Sequence, residues 1–330
     1  MTYTQGSLIE AADYNGFANA SANNINAIWS TGSGDKGWGQ TAISTVSAGG
    51  TVTATQWATL VANLATAGQQ TNSTLTSRTQ PVAGNVIAIL ANVATDINTI
   101  TNNRGNAVGS GTEYGVFSGT TSKTTATGSG QAAWTITFTH TVTFASANAL
   151  RYFFNAGGIV RLKYGKSSTG TDSDPDWNSL AGFVGSINLT GRVNGAAQTI
   201  AAQSYTGTTR LSGSGGTQTT LATTTGWYNL TGSPTTIFQL NDPAGPYTGN
   251  FIRTTATATS TTVLTLVTTW VDDGATGAGR TANISGGTAT ASPSTTITGT
   301  APTTLVTYIP HSTTYLSASW GTPTISASVA

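Results

Sequence analysis

Cysteine is absent, methionine occurs once and histidine twice, and charged residues fill 7% of the 330 positions, where soluble chains ordinarily carry about a quarter. Without cysteine there is no disulfide, no thiolate nucleophile and no thiolate-ligated metal. Twelve Lys and Arg against eleven Asp and Glu leave a formal net charge of +1. Nothing therefore draws the chain to a phosphate backbone or to anionic lipid, and neither nucleic acid nor membrane is expected as a partner. No run approaches ~18 apolar residues. The opening MTYTQGSLIEAADYNG has neither the basic nor the apolar region of a secretion signal, which predicts a protein made in a cytoplasm. The sequons at Asn19, Asn72, Asn188, Asn229 and Asn283 carry no meaning without secretion.

What the chain does have is 69 Thr and 40 Gly, with 8 Trp, 10 Tyr and 9 Phe. Threonine favours strands. The aromatics and a hydrophobic content of 37% supply a core, and a nearly neutral chain of this hydropathy is not disordered by composition. The expectation is a mainly β protein: antiparallel, sandwich-like domain structure over 105–330, with a division near 190–230, preceded by an α-helical region over 1–104 that docks or oligomerises the chain.

In that helical region Asp13 caps a segment with Phe17, Ile25, Ile28 and Trp29 at helical spacing, and Thr55 is placed to cap a second helix carrying Trp57, Leu60, Val61 and Leu64. A third helix is expected after Pro81 and Gly84. Its residues Val86, Leu90, Val93, Ile97 and Ile100 are spaced 4-3-4-3, a heptad seam. Two heptads fit either packing on the Trp57 helix within one chain or a parallel homotrimer.

Past Arg104 the period becomes two. From Trp134 to Phe144 the aromatic and aliphatic residues and His140 share one face, and Thr135, Thr137, Thr139, Thr141 and Thr143 the other. Further strands are expected at 149–154, 158–164, 183–190, 235–240, 250–258, 262–271 and 304–309, with loops or hairpins at 119–130 and 274–300.

Chemistry is thinly provided for. His140 and His311 are read as structural, and no Gly-x-Ser-x-Gly elbow occurs. Gly32-Ser33-Gly34-Asp35-Lys36-Gly37 matches a dinucleotide fingerprint in letters, but no helix is expected to open there. Asp172, Asp174, Asp176 and Asn178 alternate as calcium ligands do, yet Pro175 interrupts them and Phe183 stands where a bidentate Glu is needed. No cofactor is expected. The aromatics Trp177, Trp227, Tyr228, Tyr247, Trp270, Tyr308, Tyr315 and Trp320 are core or interface, or else a sugar-stacking surface in which Trp270 and Trp320 are the candidates.

Several strings together resemble structural proteins of tailed-bacteriophage virions, of the tail-fibre-like and tail- or neck-appendage kind. They are Asp13-Tyr14-Asn15, Asn23-Asn24-Ile25, Gly37-Trp38-Gly39-Gln40, Ala54 to Leu64 with Trp57, and Phe144 followed by Arg151-Tyr152-Phe153-Phe154-Asn155-Ala156-Gly157-Gly158. Tyr247-Thr248-Gly249-Asn250-Phe251-Ile252 leading to Trp270-Val271-Asp272-Asp273 completes the set, which spreads over about two thirds of the chain. The resemblance implies a non-enzymatic virion subunit that assembles with itself and with tail, baseplate or neck proteins, and as an alternative a module for host-surface glycan. Within it, Asn155 and Gly157-Gly158 are expected to turn the chain between strands ending at Phe154 and starting at Ile159.

Overall fold

A computed structural model describes residues 10–19, 24–83, 92–115, 121–126, 134–167, 173–191, 198–200, 203–205, 207–222, 225–243, 248–273, 295–296, 300–317 and 320–330. Val86, Leu90, Asp172, Tyr247 and most of 274–300 lie outside these. The helices are α1 (Ala11–Ala18), α2 (Ile25–Trp29), α3 (Ala54–Gln70), α4 (Val93–Asn103), α5 (Ala147–Asn155) and α6 (Ser173–Val184). The strands are β1 (Thr125–Ala126), β2 (Trp134–Thr143), β3 (Ile159–Gly165), β4 (Ser186–Thr190), β5 (Gln198–Ile200), β6 (Gln203–Tyr205), β7 (Thr208–Leu211), β8 (Thr217–Leu221), β9 (Thr235–Asn241), β10 (Phe251–Ala258), β11 (Val263–Asp272), β12 (Thr295–Thr296), β13 (Thr303–Ile309) and β14 (Thr324–Val329).

The expected helix from Asp13 onward is two helices, α1 and α2. Asp13 is not the cap but sits inside the first turn, where its carboxylate accepts the N–H of Glu10 at 2.9 Å. The asparagines that weaken a continuous helix have a use here. Asn26 is buried and both donates to and accepts from the backbone of Ile43, and Asn15 does the same with Val46. Side-chain amides thus satisfy an extended segment that has no partner strand. α3 is capped by Thr53 rather than Thr55, because only Thr53 has Gln56 three residues on to close the reciprocal box. α4 begins at Val93, and Val93, Ile97 and Ile100 pack in one cluster with Trp57, Leu60, Val61 and Leu64.

The β part is an antiparallel sandwich. Six strands run in the order β14-β2-β11-β10-β9-β8 and four in the order β13-β3-β4-β7, every neighbouring pair antiparallel. Alternation on β2 fixes its register: Trp134, Ile136, Phe138, His140 and Val142 turn inward, and the threonines between them turn outward. The inward faces meet in one hydrophobic cluster that draws on both sheets, α5 and α6, from Trp134 to Ile325. The described residues within 190–230 contribute to both sheets. They hold β7, which joins the four-stranded sheet, and β8, which joins the six-stranded one.

Residues 149–154, expected as a strand, lie in helix α5. Ser146 caps it by accepting the N–H of Ala149 at 3.0 Å, and Leu150, Phe153 and Phe154 bury one face at helical spacing. The turn after it is a helix C-terminus: the N–H of Gly157 and of Gly158 reach back to the carbonyls of Phe154 and Phe153, and Gly157 takes φ +96°. Asn155 keeps helical backbone, so only the glycine supplies the left-handed residue. The strand expected at 183–190 starts at Ser186, because α6 runs through Val184. β7, β8, β14 and α6 had no counterpart among the expected elements.

Candidate functional site

Four glycines with positive φ, Gly32, Gly34, Gly37 and Gly39, follow α2. A Cβ on Gly32 would stand 2.2 Å from the carbonyl oxygen of Ala27, which is why this loop needs glycine. No helix opens at it; the next begins at Ala54. The dinucleotide pattern is a structural turn.

That turn meets the C-terminus of α5. Asn155 donates through Nδ2 to the carbonyls of Gly34 (3.1 Å) and Gly37 (3.4 Å), and its own carbonyl accepts the indole N–H of Trp38 at 3.0 Å. Arg151 donates to the carbonyls of Lys36 (2.6 Å) and Thr31 (2.7 Å). Gln70, at the end of α3, donates to the carbonyls of Val108 (2.8 Å) and Ala156 (2.9 Å), and Gln40 bonds the backbone of Ser317. Ala156 and Leu316 are buried within the helical cluster itself. The helical unit and the sandwich therefore share a seam of buried amides and indole.

At this seam lies a cleft of about 520 Å³ lined by Ala27, Thr31, Ser33, Asp35, Lys36 and the ring of Tyr228. Asp35 is paired with Arg104. The carbonyls around it are already engaged by Arg151 and Asn155, so its polar groups serve the joint first. A second cleft, of about 340 Å³, runs along α3 beside Arg78, whose guanidinium is 2.5 Å from Asp96. Asp96 also accepts the N–H of Thr76. On the four-stranded sheet Glu113 receives Arg161 (3.0 Å), Lys163 (2.8 Å) and the hydroxyl of Thr307. Burial alone would raise the Glu113 carboxyl, but the bonds from Lys163 and Thr307 and the nearby charges hold it below the usual range.

The sequence candidates fall as follows. Val93, Ile97 and Ile100 are 0%, 1% and 0% exposed inside the chain's own core, so they leave no face for a three-chain seam there. Asp174, Asp176 and Asn178 fall within α6, and on its helical backbone Asp176 and Asn178, two residues apart, turn to different sides, unlike neighbouring ligands of a calcium loop. Burial raises the Asp176 carboxyl. Trp270 is 0% exposed: its indole donates to the hydroxyl of Thr304 at 3.0 Å, and its ring lies 5.7 Å from Trp177 and 6.5 Å from Phe138. No sugar reaches it. Trp320 is half-buried between His311 (4.6 Å) and Phe153 (6.3 Å), touching both cores. Among the described members of that aromatic set the exposed ring is Tyr228, at 43%. Trp38, Gln40 and Asn155 stood in the quoted strings, Asn155 as a turn residue, but none was expected to join the two parts, and Gln70 was not singled out; the signal was a buried-type position occupied by an amide beside an apolar run.

Both histidines are core residues. Burial pushes the His140 imidazole down to about 4 against a bond with the backbone of Thr304, and burial likewise lowers His311. Each is neutral in the fold, while an unfolded chain takes the proton near pH ~6.5. The unfolded state thus binds more protons between ~6.5 and about 4, and stability falls as the pH drops through that window. His140 alone contributes on the order of 3 kcal/mol to this loss. Urea midpoints taken across the window should fall for the wild type and much less for His140→Gln; a wild-type midpoint independent of pH would refute this role.

Set beside family models, curated proteins and solved structures, the chain matches none.

Proposed function

We propose that this protein is a non-enzymatic structural subunit of a tailed-phage virion, made in the host bacterial cytoplasm and resident in the particle. There it assembles with copies of itself and with tail, baseplate or neck proteins as a short appendage or adaptor. The observation that carries this reading is the outward face of the six-stranded sheet. On its β2 and β11 strands Thr135, Thr137, Thr139, Thr141 and Thr143 stand opposite Val271, Thr269, Val267, Thr265 and Val263, an uncharged β-branched lattice bordered by Arg253 of β10 beside Thr269. Such a face suits contact with a neighbouring subunit, where low charge does not cost colloidal stability. The seam through Trp38, Asn155 and Gln70 supports the same reading, since it makes the helical unit and sandwich one rigid body able to transmit load across a joint. No helix among the described residues is long and apolar enough to cross a membrane.

Quantitative mass spectrometry of purified particles tests the proposal. The chain should appear at a fixed ratio to the major structural proteins and survive high-salt washing. Absence from particles, or a ratio that falls with each wash, would refute it.

A further inference from the structure

A sandwich has four sheet edges, and three of these are guarded. The outer edge of β13 is bridged by residues that follow the helical region, Gly109 to His311, Tyr114 to Tyr308 and Ser122 to Thr303. β7 is four residues long and carries Arg210. β8 is bulged between Gln218 and Thr220. Coverage, shortness, charge and bulging are the ordinary ways in which a sheet edge is kept from pairing with another chain.

β14 has none of them. Thr324–Val329 pairs with β2 without a register break, contains neither Pro nor charge, and lies in a stretch, 312–330, without any charged residue. Its hydrogen-bond phase is fixed by Thr137 and Ala330, which exchange both N–H···O bonds at 2.9 Å. Alternation then directs the N–H and C=O groups of Ser328, Ser326 and Thr324 to β2, and those of Ile325, Ala327 and Val329 away from it. Among the described residues no strand pairs with that outer side.

We infer that β14 is a docking edge for a second copy of this chain, pairing antiparallel with itself on a two-fold axis at Ala327. The register is self-complementary. Ala327 meets the partner's Ala327 and Ile325 meets the partner's Val329, all three outward-bonding positions in phase, so each pair exchanges two backbone bonds. On the core-facing side Ile325 and Val329, which already border the hydrophobic cluster, extend it across the axis. On the solvent side Ser326 faces the partner's Ser328, a hydroxyl pair. No like charges meet, and a net charge of +1 sets little repulsion between copies.

The inference goes beyond a place in a virion and is tested on the purified full-length chain. Light scattering should show a mass rising with concentration toward twice 33.4 kDa. Ala327→Pro removes only an N–H that bonds nothing within the fold, a placement that edge strands tolerate. This variant should keep its circular dichroism and melting transition while associating at least ~10-fold more weakly. Because the chain has no cysteine, Ala327→Cys should give a disulfide-linked dimer on mild oxidation, with Cα atoms ~5.5 Å apart. Ser326→Cys, which faces a serine across the axis, should give far less. A wild-type chain that stays at 33.4 kDa, a mass near three times that value, or Ala327→Cys cross-linking no better than Ser326→Cys would each overturn the inference.

Discussion

Replacing Trp270 with alanine is expected to lower stability by about 3–5 kcal/mol, the cost of removing a large buried aromatic and leaving a cavity. The site has little room to collapse: Trp270 is fixed on β11 opposite Ile136 of β2 and Ile252 of β10, with Trp177 of α6 and Phe138 around it. Trp270→Phe keeps most of the volume but strands the Thr304 hydroxyl, itself fully buried, for about 1–3 kcal/mol. Chemical denaturation should rank wild type above Trp270→Phe and Trp270→Ala last. If Trp270→Ala unfolded together with the wild type, Trp270 would not be the core of the sandwich.

Trp38→Ala is expected to cost a similar ~3–5 kcal/mol, and to do so in both parts of the molecule at once. Trp38 is 1% exposed, packs 6.3 Å from Trp29, and bonds the last residue of α5. Its loss empties the helical core and also frees the carbonyl of Asn155, whose amide holds the glycine turn. Hydrogen exchange should therefore show lowered protection in α3 and β3 alike, within one unfolding transition. Loss of protection confined to residues before 104 would mean that the two parts fold separately. The same seam changes the meaning of a truncation: removing 1–104 would expose Ala156 and Leu316 in addition to deleting a docking region, so surface substitutions are the better probe of docking.

The elements legible in the sequence were those decided by their own periodicity. β2 and β11 alternate cleanly because one face is buried and the other is not, and α3 carries its four apolar residues on one stripe. The misreadings had a common origin. Leu150, Phe153 and Phe154 form an apolar run short enough to suit either period, and only the cap at Ser146 and the packing against the sandwich made it helical. α6 was hidden by its Asp-rich start, which suits a helix N-terminus as well as a loop. β14, with alternating Ser and small apolar residues, has too little hydrophobic contrast to announce a strand; β2 supplies its register.

By itself the sequence determined a neutral, cysteine-free, threonine-rich chain, its change from helical to β period near Arg104, and the inward face of its longest strands, because burial of alternate or every third and fourth side chain is a local property. Only the tertiary structure decided that Val93, Ile97 and Ile100 are spent within one chain, that Trp270 is core and Tyr228 surface, that Asn155 and Gln70 join the two parts, and that β14 is left as the unguarded edge. Those outcomes depend on which distant residue fills the space beside a given side chain, and no period along the chain carries that information.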